Sequence, residues 1–559
     1  MTDLLTAVSI LFIVAGPLLL VANRFDLPAV PTFVLAGVLG GAVIEPDVLL
    51  ELAYYGIALL VFTFGARIDL TAIRTVAADG ELAAVTQILV VGSLGTGFGV
   101  VLGVPPIEAI YLGIAAAFSS TIVGTALLRQ EITTGLVHGR LASSLHFIQD
   151  LLAIVIVLLL GAGTLEIGYV TPAFVGGAAL LLAAVLVNRY VFDAVGRLAG
   201  DSDELMILGV VTLLALFVGA AEFAGISVVV GAFAAGLAVR HDPVEYLGLF
   251  NGLQSLRDFF AAIFFVTIGA LVIVPFVELS RAESVEKLLL VVGLVILTAA
   301  VKPAVTTAIL IYRGYEARSA TLASLNTDQV SEFSLIIAIQ ALALEALSQP
   351  VFDAIILAAA LTMITSSLTH RYNEEIYRVL ADRGVVSGRH DRIDEWSHVP
   401  EDVADHVIIA GYGRQGRKLV EICEELHHPY VVIENDPARR DVVTRECQAF
   451  VIGDAMERYT WEKANVDDAR IVVSTVESEP VSRRILSFGF DADVTLRAGD
   501  RDLALEFLER GALYVSVNGL LAGQQLVEQI QALLDDELTP EELREERLAD
   551  LRLRIDLAT

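Results

Sequence analysis

The first 370 residues consist of apolar runs separated by short polar loops, and this repetition limits the fold more than any other feature of the chain. A run of about 20 apolar residues is long enough to cross a bilayer as a helix. Roughly thirteen such spans are expected, near 4–22, 28–44, 48–65, 80–102, 107–129, 139–161, 172–190, 204–221, 226–240, 255–274, 285–310, 317–341 and 350–370. From Arg371 onward the chain reads as a charged soluble protein. The expected organisation is therefore a helical membrane domain over 1–370, a linker over 371–404, an α/β domain over 405–530 and a terminal helix over 531–559.

Charge in the loops sets the orientation. Arg24, then Arg67 and Arg74, Arg129 and Arg140, Arg189 and Arg197, Arg240 and Arg257, Arg313 and Arg318, and Arg371 fall on alternate connections. The others carry Glu45 and Asp47, Glu108, Glu166, Glu222 and Glu345; only Arg281 and Lys287 depart, mixed with Glu278, Glu283 and Glu286. The positive-inside rule then puts the N-terminus outside and the C-terminal half in the cytoplasm of a plasma membrane. Met1-Thr2-Asp3 lacks the basic region of a signal peptide, so the first run is expected to be a retained span. The net charge of −30 argues against nucleic acid as a partner and fits a salt-rich cytoplasm, as in a halophilic prokaryote. Cys423 and Cys447, the only cysteines, have no metal-type spacing.

Polar residues inside spans are few enough to weigh singly. Asp150, beside Gln149, falls about mid-run between Gly139 and Gly161. A charge at that depth costs at least about 2.5–3.5 kcal/mol on insertion scales, which marks it as functional. Lys302 sits before Pro303 in a run that continues to Ile311, too deep for simple snorkelling. It is expected to carry a proton or act as a fixed counter-charge. Two spans look interrupted, one at Ala117–Gly124 and one at Asn326–Ser334. Paired broken helices mark the midplane site of inverted-repeat transporters, where unwound carbonyls and hydroxyls meet a cation. Small residues at ordinary helix contacts are the simpler explanation for each serine and threonine taken alone. Glu222 reads as a solvated loop carboxylate.

Five segments together resemble the cation:proton antiporter-2 family, particularly its Kef-type potassium/proton members. Phe118-Ser119-Ser120-Thr121 is similar to the family's first crossover, and Gln329-Val330-Ser331-Glu332-Phe333 to its second. Gln149-Asp150 resembles the Kef-type pair, where sodium-selective electrogenic relatives have Asp-Asp. Gly231–Leu237 and Phe264–Gly269 resemble two further signatures. The resemblance covers residues 4 to 370. It implies a homodimeric exchanger in lipid, with a monovalent cation (K+ favoured over Na+) and H+ alternating at Asp150. Gln149, Ser119, Ser120, Thr121, Lys302 and Glu332 would surround them. Ser331 stands where the family usually has Gly, Arg67 where relatives often carry Glu, and Asp328 is an added acid. The loop after Arg240 does not reproduce the acidic sequence of glutathione-gated relatives, so glutathione control is not implied.

In the soluble half, Val407–Ala410 reads as a buried strand running into Gly411-Tyr412-Gly413-Arg414-Gln415-Gly416 and then a helix. A second strand ends at Glu434, with Asp436 just beyond. A GxGxxG between strand and helix, with an acid about twenty residues on, is the full dinucleotide fingerprint. Its first two glycines allow the turn and close approach of phosphate, its third the packing of helix on strand. Glu434 would hold ribose hydroxyls, and Arg414 would meet phosphate charge. Further strands at 449–452, 469–475, 494–497 and 514–517 make a parallel doubly wound sheet. The glycine motif and Gly453-Asp454-Ala455 resemble the TrkA-N regulator of potassium conductance (RCK) domain over about 405–530. That implies a dimer regulated by an adenine nucleotide (AMP, ATP or NAD(H)). The second ligand-binding subdomain of some relatives is not expected. Thr539-Pro540-Glu541-Glu542 reads as the start of a terminal amphipathic helix reaching Ile555.

The expectation is thus a nucleotide-regulated secondary antiporter and not an enzyme. A sodium/proton antiporter of the same fold is the alternative, with a nucleotide-gated potassium channel ranked below it for want of a repeated carbonyl filter. A membrane-tethered dehydrogenase would need a catalytic group near the nicotinamide. His427 and His428 lie at the wrong end of the first helix for that.

Overall fold

The computed structural model describes residues 4–545 apart from 25–28, 41–45, 68–72, 134–135, 161–166, 201, 242–245, 276–278, 387–389 and 536–537. Two compact units emerge, one of residues 1–132, 138–310 and 320–383, the other of 133–137, 311–319 and 384–559.

The first unit is all helix. Among the described residues nine helices are long and apolar enough to cross a membrane, and four shorter apolar helices lie at Phe12–Ala22, Ala29–Gly40, Val228–Leu237 and Glu332–Ala343. Together these coincide with the thirteen apolar runs. Large apolar side chains such as Leu20, Leu182, Leu208 and Phe223 stand exposed on the helices. Apolar surface of that extent needs lipid or protein to cover it. Between spans, packing is close where glycines meet. A Cβ on Gly269 would lie 2.1 Å from the Val34 carbonyl oxygen, and one on Gly236 2.1 Å from that of Phe62. Small residues let helix backbones approach in this way.

The span Arg281–Arg313 is not a regular helix. It passes through a π turn at Leu297–Val301 immediately before Lys302 and Pro303. Proline has no N–H to give and crowds the carbonyl one turn back, so a widened turn is the natural way to keep the helix going.

Three expectations need correction. Arg257, assigned to a loop, lies inside the helix Leu247–Ala270, where Gln254, Arg257 and Asp258 interrupt the apolar pattern and hide the helix. Lys287, assigned to an outer loop, is buried in the helix Arg281–Ile296 and pairs with Asp353, also buried, which sequence inspection missed. The boundary at 530 falls within the helix Asn518–Leu534. Residues 546–559, Glu45 and Glu166 lie outside the described residues. The cap expected at Thr539 is present: Glu542 N donates to Thr539 Oγ1 at 3.2 Å and Thr539 N to Glu542 Oε2 at 2.9 Å. Glu222 is exposed.

The second unit holds a six-stranded parallel sheet in the order β3-β2-β1-β4-β5-β6. Its strands are β1 His406–Ala410, β2 Tyr430–Glu434, β3 Phe450–Ile452, β4 Ala469–Ser474, β5 Asp493–Ala498 and β6 Tyr514–Val517. β1 and β2 are buried throughout, as a parallel sheet covered on both faces requires. The order reverses beside β1, and such switch points are where open α/β sheets bind ligands. Before the sheet, the helix His390–Trp396 leads to His398, which makes an antiparallel bridge with Phe450.

Candidate functional site

The first broken span stops at Ala117 and resumes at Thr121, leaving Phe118, Ser119 and Ser120 extended or capping. Ser120 Oγ accepts from Val123 N at 3.2 Å and so starts the second half-helix. The second break runs from Asn326 to Ser331, between Ala317–Leu325 and Glu332–Ala343. Ser331 Oγ accepts from Phe333 N at 3.0 Å.

The two breaks cross. Ser119 Oγ donates to the Thr327 carbonyl at 3.0 Å, Gln329 Nε2 to that of Ser120 at 3.4 Å, and Asn326 Nδ2 to that of Gly124 at 3.3 Å. Interrupting a helix strands its last carbonyls. Lys302 answers both interruptions: its ammonium donates to the Phe118 carbonyl at 3.0 Å and to the Gln329 carbonyl at 2.8 Å. At Phe118, the cap of the helix Pro106–Ala117, its charge also suits a helix C-terminus, which carries a negative partial charge. Gln87, on the span Gly80–Val101, donates to the Ala117 carbonyl at 2.9 Å and accepts from Thr306 at 2.8 Å.

The carboxylates come from the neighbouring helices. Asp150 lies in Val137–Leu160, where its Oδ2 accepts from Thr121 Oγ1 at 2.7 Å. Gln149 Oε1 accepts from Ser119 N at 2.8 Å, so the amide steadies the break while Asp150 faces it. Glu332 Oε1 accepts from Ile122 N at 3.1 Å. Ser119, Ser120, Gln149, Asp150, Lys302 and Glu332 are all buried; Thr121 is half-buried. The seven residues expected here are thus brought to one crossing. Several oxygens around Asp150 remain without a hydrogen-bond partner: Asp150 Oδ1, Glu332 Oε2, Gln329 Oε1 and Asn326 Oδ1. Such a set of buried acceptors suits an alkali cation, and the carboxylates can take a proton instead.

Gln87 and Thr306 escaped sequence inspection, and no contact was expected of Asn326 or His146. His146 is buried against Gly124, where an added Cβ would lie 2.5 Å from its ring. Gln87 had the same signal as Asp150, a lone polar group in an apolar run. His146 lies in the same apolar run as Asp150, but only the fold brings it to Gly124.

In the second unit the glycine loop has the expected form. Gly411 has φ +98°, open to glycine and strained for other residues, and a Cβ on Gly416 would lie 2.0 Å from the Gly411 carbonyl oxygen. Gly413 caps the helix Arg414–Glu425, and nothing lies within 4 Å of where its Cβ would point. Arg414 and Gln415 are exposed at the helix start. Glu434 is buried at the end of β2, where it accepts from Tyr412 N at 2.9 Å and Asp436 N at 3.0 Å. Burial pushes its carboxyl above the usual range, while Arg439 and the two N–H groups pull it back. The acid assigned to ribose therefore also braces the glycine loop, with a second lone pair on each oxygen to spare. Asp436 Oδ1 accepts from Ala438 N at 3.0 Å, and Asp454 Oδ1 from Met456 N at 2.9 Å. The Ala455 carbonyl accepts from Trp461 Nε1 at 2.7 Å. Arg439, unremarked in the sequence, donates to the Tyr412 carbonyl at 3.2 Å and lies within 3.6 Å of Glu434.

Comparison with known proteins agrees with both units. Residues 8–371 match the family described as sodium/hydrogen exchanger, transmembrane, and residues 407–515 match the TrkA-N domain. The putative cation/proton antiporter YbaL of Escherichia coli (strain K12) is 26% identical over 541 residues, 91% of this chain and 94% of the relative. The putative K(+) efflux antiporter KefB of Alkalimonas amylolytica is 26% identical over 95% of this chain and 82% of its own. Among solved structures, the sodium proton antiporter MjNhaP1 of Methanocaldococcus jannaschii covers 67% of this chain and 98% of its own, with a TM-score of 0.51 and 13% identity. That likeness is one of fold.

Proposed function

Since this chain belongs to the sodium/hydrogen exchanger family, whose members are transporters and not enzymes, we propose that it exchanges a monovalent cation for a proton at Asp150. One observation carries the reading: Asp150 is fully buried beside two crossed helix breaks, one oxygen held by Thr121 and the other unpartnered. A carboxylate so placed is neutral with a proton and needs a counter-ion without one. Proton and cation therefore compete for the same oxygen, and that competition couples the two fluxes. Gln149 and Lys302 hold the breaks open, and Glu332 supplies a second carboxylate oxygen. Alternating access follows from movement of the crossing against the rest of the bundle.

Potassium is the favoured cation, on the Gln149-Asp150 pair and on relatives whose names specify K(+) efflux. The protein works as a homodimer in a plasma membrane, its C-terminal half cytoplasmic. An adenine nucleotide on the Gly411–Gly416 loop regulates exchange. In proteoliposomes, Asp150→Asn should abolish cation-driven proton movement in a protein that still purifies as folded. Full exchange in the variant would refute the assignment, and cation flux without proton counter-flux in the parent would indicate a channel.

A further inference from the structure

Asp328 has no part in the exchange just described, yet it is fully buried and neither of its oxygens has a hydrogen-bond partner. The effective penalty of burying an ion is several kcal/mol when nothing compensates it. Lys302 is its charged neighbour, but that ammonium is committed to the Phe118 and Gln329 carbonyls. The hydroxyls of Ser366 and Thr369 and its own backbone N–H also face Asp328. Ser366 is buried and its Oγ is also without a partner.

These hydroxyls belong to the last span, Gln349–Arg371. Thr362, Ser366 and Thr369 are spaced i, i+4, i+7 and share one face of that helix. The top of the stripe touches the crossing, where Thr362 Oγ1 accepts from Val330 N at 3.1 Å. At 1.5 Å per residue the stripe then descends about 10 Å to Thr369, in the helix's last turns beside His370 and Arg371. On the orientation set by the loop arginines, that end is cytoplasmic. Asp328 thus lies on a polar track leading from the crossing to the cytoplasmic end of the helix.

We infer that Asp328, with the hydroxyls of Ser366 and Thr369, is a second alkali-cation site on the cytoplasmic approach to Asp150. A carboxylate and two hydroxyls are oxygen donors of the kind such ions accept. A cation held there replaces part of its water before reaching the crossing, and it raises the local supply to Asp150. The inference rests on Asp150 being the exchanging carboxylate. It concerns delivery, so Asp328 affects apparent affinity on one face and leaves the coupling step alone.

The test uses the full chain in oriented vesicles, inside-out and right-side-out, with K+ and Na+ titrated separately on each face. Asp328→Asn should raise the cytoplasm-side KM about tenfold, equivalent to ~1.4 kcal/mol, with the outer-side KM unchanged and the maximal rate kept within about twofold. Asp328→Glu should recover much of the affinity, and Ser366→Ala should shift it in the same direction by less. Equal KM changes on both faces, loss of maximal rate in a folded Asp328→Asn protein, or no change at all would overturn the second site. Asp150→Asn, run in parallel, keeps the two claims apart. If it abolishes exchange while Asp328→Asn does nothing, only the second site falls. If it leaves exchange intact, the reading beneath both falls.

Discussion

Two buried lysines in the membrane unit look alike in the sequence and act differently in the fold. Lys302 meets carbonyl oxygens, whereas Lys287 meets the Asp353 carboxylate, the Ile273 carbonyl at 3.0 Å, and through Asp353 the Gln349 amide at 2.7 Å. A buried pair gains little over well-packed apolar side chains, but half a pair is costly, about 3–5 kcal/mol for removing one partner. Asp353→Ala alone should therefore lower the thermal unfolding midpoint of the detergent-solubilised protein sharply. Lys287→Met combined with Asp353→Leu should recover most of that loss. A double variant as unstable as the single would show that the pair stabilises by more than mutual neutralisation. Asp150 and Lys302 were legible because each stands alone in an apolar run. Lys287 was not, because Glu278, Arg281, Glu283 and Glu286 precede it and disguise the helix start as a loop. Burial of one charge among several exposed ones is decided by helix phase and by a partner 66 residues away.

Elements were more legible than contacts. The broken spans announced themselves through serine, threonine and asparagine in apolar context, and the six strands through short runs rich in branched residues. Which break meets which could not be read locally: the Ser119 to Thr327 contact joins residues 208 apart. Strand β1 carries a further hidden feature in His406, buried with Nε2 3.0 Å from the Ala464 carbonyl. That contact requires a proton on Nε2, and Nδ1 is buried without a partner. Burial holds the imidazole below its usual range, against Asp468 and Asp405, which favour the cation, and His428, which opposes it. The folded state then binds fewer protons than the unfolded chain, so the stability this residue contributes is present above about pH 6.5 and is lost as pH falls towards the folded value. The protein's two tryptophans, Trp396 and Trp461, both lie in the second unit, so their fluorescence follows that unit alone. Denaturation of the full chain monitored at these residues should show stability declining below pH 6.5, and His406→Asn should flatten the decline. An unchanged slope in the variant would assign the pH dependence to other groups.

At the scale of the whole molecule, an ion exchanger carries a doubly wound TrkA-N domain on one chain, and the question is whether the second governs the first. The glycine loop supplies a way to ask without disturbing the fold. Substituting Gly416 would drive a side chain into the Gly411 carbonyl and confuse loss of ligand with loss of structure. Gly413 is different. Its φ of −83° and ψ of −166° suit any residue, and the space its Cβ would enter is open. Gly413→Val costs the helix cap about 1 kcal/mol or less, but it places two methyl groups where a phosphate must approach the backbone. The folded second unit should survive, with tryptophan-detected unfolding close to that of the parent. Exchange without nucleotide should match the parent, while the response to AMP, ATP or NADH in proteoliposomes should disappear. A parent that responds to none of the three would remove the regulatory role itself. A Gly413→Val protein that responds like the parent would move the nucleotide away from this loop, and Glu434 and Arg439 would then be braces of the turn and nothing more.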